Sequence, residues 1–332
     1  MFRTLLLFVS AAVAACATPC ISASSNCTEW ITLGGGPARS LVYRSYPIES
    51  KSEQITRALI IVHGAGRNAD DYFRTGVAAA FLAGALDNTI IISPRFASKD
   101  RGCNDALAPN EVSWSCGGDS WRSGGIASSD DRLNSYDLTD EILRKLARKD
   151  VFPNLKAIVV SGHSAGGQYV TRYEMANKVH DALGVPVTYV VSNPSSYAWL
   201  DANRPVEGSS EYRPFRDARN CTTYDRWPYG LQNRGAGYTA GIPDEQLKKQ
   251  LAARPVTYLL GELDVMPLGG FDSSCPAMAQ GPTRLARGQA FAKYVNEKYG
   301  ARHTVLVVPL CGHNARCMFT ADPALPVLFP AP

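Results

Sequence analysis

Charge is scarce in this chain, and what there is does not gather. Only 19% of the 332 residues are Asp, Glu, Lys or Arg, and the net charge is +4. A nucleic-acid partner demands a basic stripe or patch. The one local concentration, Arg144, Lys145, Arg148 and Lys149, reads as the solvated face of a helix. Past the first residues no apolar run is long enough to cross a bilayer, so no interior membrane span is expected. There is no internal repeat, which excludes solenoid and propeller architectures. Histidine is also sparse, with five residues at 63, 163, 180, 303 and 313. Any imidazole chemistry therefore has few candidates.

Apolar residues, by contrast, make up 45% of the chain, enough to build a sizeable core in one large domain. The N-terminus reads as a targeting segment. A short basic start, Met1-Phe2-Arg3, precedes an apolar core at 5–15 and then small residues. Val13-Ala14-Ala15-Cys16 resembles a lipobox, which would lipidate Cys16, and Ala15-Cys16-Ala17 also reads as an ordinary cleavage site. The expected division is a signal peptide at 1–17 and one domain at 25–332. Such a protein is secreted, or held in the periplasm or on the outer surface, and meets a membrane only through an anchor at Cys16.

Cysteine parity fits either reading. Of nine cysteines, removal or lipidation of Cys16 leaves eight, enough for four bridges. In an exported chain an even set reads as disulfides rather than metal ligands. Nearest neighbours suggest Cys103–Cys116, Cys311–Cys317 and Cys20–Cys27, with Cys221–Cys275 by elimination. Sequence alone leaves roughly a hundred connectivities open.

Apolar, β-branched runs at 58–62, 89–92, 157–160, 185–191, 256–260 and 304–308 read as buried strands, preceded by 30–33 and 41–46. Helical patterns lie between them: from Asn68 to about 86, at 136–149, from the residue after Ser164 to about 179, and at 283–299. The alternation predicts an α/β fold with a mainly parallel central sheet and helices on both faces. Two long stretches without period, 95–129 and 195–254, read as irregular cap or loop insertions.

The chain is organised around Gly162-His163-Ser164-Ala165-Gly166, which lies between a strand and a helix. That context gives the pattern G-x-S-x-G its meaning, because a tight turn there lifts the serine out at the strand's carboxyl end. A serine hydroxyl needs a base to take its proton and a carboxylate to orient that base. His63 and His163 lie inside turns, His180 at a helix end, and His303 before a strand. Only His313 follows the carboxyl end of the last strand, where it can swing over Ser164. Asp264, just past the strand 256–260, is the preferred acid, with Glu262 and Asp272 as alternatives. The amide of Ala165 and one from His63-Gly64-Ala65-Gly66 are the expected oxyanion donors, Ala65 ahead of Gly66.

With the HGAG loop at 63–66, the GHSAG elbow at 162–166, the GELD turn at 261–264 and the CGH loop at 311–313, the chain resembles α/β-hydrolase fold enzymes over about residues 40–320. Within that fold it is similar to the exported esterase and polyester-depolymerase branch, which opens with a similar H-G-x-G-x-N loop (here 63–68). The resemblance implies acyl-enzyme chemistry on carboxylic esters, with water as second substrate and no metal or cofactor. The long insertions depart from simple members, so the substrate, small or polymeric, is not carried over.

Two further readings concern the site. A Cys311–Cys317 bridge would hold the loop that presents His313. Trp114 and Trp121, flanking Cys116, are candidates for an aromatic substrate wall. The alternatives for function are a peptidase or a diketone carbon–carbon hydrolase on the same triad, or a binding module that kept the fold. Nothing in the sequence sets the oligomeric state.

Overall fold

A computed structural model describes residues 17–100, 102–117 and 120–331. Apart from Ala17, the signal-peptide segment and Cys16 lie outside the described residues. The strands are β1 (Thr28–Thr32), β2 (Arg39–Arg44), β3 (Arg57–Val62), β4 (Thr89–Pro94), β5 (Ala157–His163), β6 (Val187–Ser192), β7 (Asn203–Pro205), β8 (Tyr212–Pro214), β9 (Val256–Gly261) and β10 (Thr304–Val308). Eight of them form one sheet in the order β1-β2-β4-β3-β5-β6-β9-β10, and β7 and β8 form a separate hairpin. From β4 to β10 all neighbours in that sheet are parallel, while β2 pairs antiparallel with both β1 and β4.

The helices are α1 (Ala69–Leu82), α2 (Ser135–Leu146), α3 (Ala165–Ala176), α4 (Asp244–Ala253), α5 (Cys275–Met278), α6 (Arg284–Tyr299), α7 (Ala315–Thr320) and α8 (Leu325–Leu328). Because side chains alternate across a strand, the apolar runs split into two cores. Ile60, Ile92 and Val160 pack with Leu138 and Ile142 of α2, Val170 and Tyr173 of α3, Leu247 of α4 and Phe291 of α6. Leu59, Ile61, Ile91 and Val159 pack with Tyr72 and Phe73 of α1, Met318 and Phe319 of α7 and Leu328 of α8. Helices therefore cover both faces, as a buried parallel sheet requires.

The elements differ from the sequence reading in two useful ways. β5 runs on through Ser161, Gly162 and His163 because β3 and β6 continue to pair with it, Gly162 opposite Val62 and His163 opposite Ser192. The insertion 195–254 is not irregular throughout, since it holds the β7–β8 hairpin and ends in α4, a covering helix of the sheet. The signals for α4 are short: Pro243 before it, Asp244 and Glu245 in its first turn, and only Leu247 and Leu251 buried. Two apolar positions do not make a visible period, so the helix is fixed by packing rather than by its own pattern.

The four cysteine pairs suggested by proximity and elimination are the ones joined: Cys20–Cys27, Cys103–Cys116, Cys221–Cys275 and Cys311–Cys317. Among the described residues no helix is long and apolar enough to cross a membrane.

Candidate active site

Ser164 sits at the junction of β5 and α3 with φ 59° and ψ −118°, a conformation that ordinary residues avoid. Strain of this kind costs on the order of 1–3 kcal/mol and persists only where the surroundings impose it. Here they do. A Cβ on Gly162 would lie 2.4 Å from the Gly166 carbonyl oxygen, and one on Gly166 would lie 2.2 Å from that of Val62. Only hydrogen at both positions lets helix and strand close on the turn. The Ser164 amide donates to the Ser192 carbonyl at 3.0 Å, locking the turn to β6.

The loops after β9 and β10 bring the other two groups to this point. Ser164 Oγ lies 2.9 Å from His313 Nε2, and Asp264 Oδ2 lies 2.8 Å from His313 Nδ1. A carboxylate only accepts, so Nδ1 carries the hydrogen and Nε2 is left to receive the serine proton. Asp264 is 2% exposed. Its other oxygen, Oδ1, accepts from Arg284 Nη1 at 3.3 Å, so both sides of the carboxylate are held. The alternative acids are occupied elsewhere: Glu262 accepts from the Leu310 amide at 2.9 Å, and Asp272 from the Tyr229 hydroxyl at 2.8 Å.

Several supporting residues escaped the sequence reading. Asn193, after β6 at φ 44°, accepts from the Gly261 amide through Oδ1 and donates to the Gly312 carbonyl through Nδ2. One side chain thus ties the acid-bearing strand to the histidine loop. Its only sequence signal is Ser192-Asn193-Pro194 after an apolar run, a pattern that marks a plain strand end equally well. Gly269, at φ 57°, lies against the imidazole so closely that a Cβ there would be 2.9 Å from His313 Cδ2. Arg284 and Arg67 could not be singled out from a spread of surface-like arginines. Arg67 pairs with Asp105 at 2.6 Å and donates to the Ala65 carbonyl at 3.1 Å, pinning the 63–66 loop.

His63 shapes that loop as well. Its Nδ1 donates to the Gly64 carbonyl at 2.9 Å and its Nε2 accepts from the Phe96 amide at 3.0 Å. Burial lowers its pKa to about 4. His163, whose ring centroid is 4.6 Å from that of His313, is likewise held well below the ordinary imidazole range, first by burial and then by the nearby His313 and Arg284. Both rings are therefore structural and uncharged around neutral pH.

Ala65 and Ala165 line the same cleft as Ser164. Ala165 is the first residue of α3, so its amide is one of those a helix leaves without an internal partner. Among the described residues the Ala65 amide makes no backbone hydrogen bond. Two clefts meet at Ser164. One, of about 540 Å³, runs along Gly64, Tyr72 and His313. The other, of about 680 Å³, lies between α3 and the 223–229 loop.

Trp114 and Trp121 belong to neither cleft, which corrects the expectation of an aromatic wall. They are 0% and 3% exposed. Trp121 stacks on Phe96 with ring centroids 5.1 Å apart, and Trp114 Nε1 donates to Ser40 Oγ at 3.1 Å. Large rings in a loop without period bury themselves beneath it when an apolar site is available. Their neighbours Ser120, Arg122 and Ser123 reach the second cleft instead.

Cys311 and Cys317 bracket His313, and Asn314 caps α7 by accepting from the Cys317 amide at 3.0 Å. The bridge closes the backbone turn that carries the imidazole. Replacing both of these cysteines by serine is expected to lower turnover more than replacing Cys103 and Cys116, at temperatures where both variants stay folded. Each bridge contributes about 2–4 kcal/mol of stability. Turnover at matched folded fraction separates the two effects; equal losses would mean that the bridge does not position His313.

The chain belongs to the alpha/beta hydrolase family, whose profile matches residues 59–327. It is a hydrolase by that membership. The structure is similar to that of the poly(3-hydroxybutyrate) depolymerase LpqC from Bordetella parapertussis. The TM-score is 0.62 at 21% identity, over 89% of this chain and 85% of that one. It is also similar to poly(aspartic acid) hydrolase-1 from Sphingomonas sp. KT-1. There the TM-score is 0.60 at 22% identity, over 88% of this chain and 94% of that one. At such identities the likeness is one of fold. No curated protein matches in sequence.

Proposed function

We propose that the protein is an exported serine hydrolase of carboxylic esters, acting through Ser164, His313 and Asp264. The observation that carries the reading is the unbroken hydrogen-bond chain from Ser164 Oγ through the imidazole to Asp264, at the meeting of two clefts. Ser164 Oγ attacks the ester carbonyl as its proton passes to His313 Nε2. Asp264 holds the imidazole in the receptive tautomer and stabilises the imidazolium that forms. In this reading the amides of Ala65 and Ala165, which line the cleft with Ser164, receive the oxyanion. Collapse of the tetrahedral intermediate returns the proton to the departing alkoxide and leaves Ser164 acylated. Water then repeats the sequence and frees the acid.

The depolymerase neighbour acts on a polyester by its name, which accords with this reading without naming the substrate here. Four disulfides support an oxidising compartment. Labelling with a fluorophosphonate is the direct test. The folded protein is expected to form one adduct, at Ser164, and to hydrolyse para-nitrophenyl esters faster than matched anilides or diketones. Absence of the adduct would reject the enzyme reading, and a faster anilide or diketone would reject the ester.

A further inference from the structure

The second cleft carries a charge that the hydrolytic chemistry does not use. Arg172, on α3, lines it and is 2% exposed. Its guanidinium donates to the carbonyls of Pro228 and Gln168 at 3.0 and 3.3 Å and to Ser196 Oγ at 3.0 Å. All three acceptors are neutral, and among the described residues Arg172 makes no ion pair. Burial first, with a smaller push from Arg122 and against Tyr136, Tyr229 and Asp272, draws its pKa down to about 10, so it remains a cation. Removing a charge from water without an opposite one is costly. Three bonds also leave two of the five guanidinium N–H groups over.

Further cations line the cleft beside this one. Arg122 and the exposed Arg226 line the same cleft. The single carboxylate among the described lining residues, Asp272, already accepts from the Tyr229 hydroxyl and the Ser274 amide, at 2.8 and 3.0 Å. Arg287, fully buried behind the wall, donates to the Asp272 main-chain carbonyl at 2.9 Å. Among the described residues, cations outnumber anions along a wall that begins at Ser164.

We propose that this cleft takes the free carboxylate of the substrate, so that the esters hydrolysed are those bearing a second, ionised carboxyl group. The proposal rests on the ester-hydrolase reading above. Eight residues of helix separate Ser164 from Arg172, a rise of roughly 12 Å. The Arg172 side chain reaches back about one turn, to the Gln168 carbonyl, as helical side chains lean. The remaining distance, on the order of 6 Å, suits a carboxylate two or three methylenes from the scissile carbonyl. Planar, forked donors are the natural partner of such a group.

The carboxylate can sit on either side of the ester, and paired substrates separate the two. On the acyl side, para-nitrophenyl hydrogen glutarate is compared with para-nitrophenyl pentanoate. On the alcohol side, the butanoate ester of gamma-hydroxybutyrate is compared with butyl butanoate. In one pair the anionic ester is expected to have a kcat/KM roughly ten-fold or more above its neutral match. Arg172→Gln is expected to abolish that preference, and Arg226→Gln to reduce it a few-fold, the readout being the ratio within the pair. If Arg172→Gln does not fold, the wild-type ratio and the exposed Arg226 decide. Glutarate binding measured by calorimetry needs no turnover and reads the site directly. Ratios at or below one in both pairs, with no glutarate binding, overturn the proposal. Continued turnover of the neutral esters would then leave the ester-hydrolase reading standing.

Discussion

Ser164→Ala and His313→Ala are each expected to lower kcat by on the order of a million-fold, and the double variant by hardly more. The near-equality follows from the geometry. Oγ and Nε2 are 2.9 Å apart and act as one unit, so losing either ends proton transfer. Binding should change little, because the clefts and the amides of Ala65 and Ala165 remain. The wild-type pH profile checks the assignment independently. With His63 at about 4 and His163 held by burial well below the ordinary imidazole range, neither ring gains a proton near neutrality. Loss of turnover on acidification should therefore not come from either of these rings, whereas a protonated His313 cannot accept from Ser164. The same depressed pKa of His63 bears on stability. Its neutral form is favoured by the fold, so stability is full above the ordinary imidazole pKa and declines as pH falls toward about 4. Burial raises Asp140 to about 6, an opposing contribution over the same range, so a thermal melt at each pH is what separates loss of folding from loss of turnover. Retention of more than a hundredth of the turnover by His313→Ala would show that another group serves as base.

The parts of the molecule legible in the sequence are those specified by local chemistry. Fully apolar runs such as 58–62 and 157–160 can only be strands of a covered sheet or buried helix. The Gly162–Gly166 turn has no other use for its two close-packed glycines. His313 stands out because it alone follows the last strand, and three of the cysteine pairs because proximity in sequence favours short loops, with Cys221–Cys275 left by elimination. What escaped was set by packing at a distance. Trp114 and Trp121 sit in a stretch without period, where nothing marks which face of a ring is dry, and both proved to be core. α4 buries only Leu247 and Leu251, too few to show a helical repeat. Asn193, Arg284 and Arg172 owe their roles to contacts 68, 20 and 56 residues away in sequence. A charged or amide side chain looks the same in sequence whether it meets water or a buried partner.

Arg284 makes the second large effect unusually well defined. Asp264→Asn is expected to lower kcat roughly ten-thousand-fold, through the tautomer of His313 rather than through lost structure. The carboxylate accepts twice, from His313 Nδ1 on Oδ2 and from Arg284 Nη1 on Oδ1. An amide has only one oxygen to offer. Guanidinium nitrogens donate and never accept, so the amide oxygen turns to Arg284 and the NH2 group faces the imidazole. Nδ1 must then accept, which sends the ring hydrogen to Nε2, where it blocks the serine proton. Arg284 is fully buried and cannot swing away to water. Replacing it as well, as Asp264→Asn with Arg284→Met, frees the amide to present its oxygen to Nδ1. The double variant is therefore expected to be more active than Asp264→Asn alone, by about ten-fold, even though it lacks one more polar contact. Steady-state kinetics on a neutral ester measure this, with a thermal melt to correct for folded fraction. A double variant less active than the single would remove the tautomer argument. If Asp264→Asn kept most of its activity while Asp272→Asn lost it, the acid would be Asp272, against the 2.8 Å contact that joins Asp264 to His313.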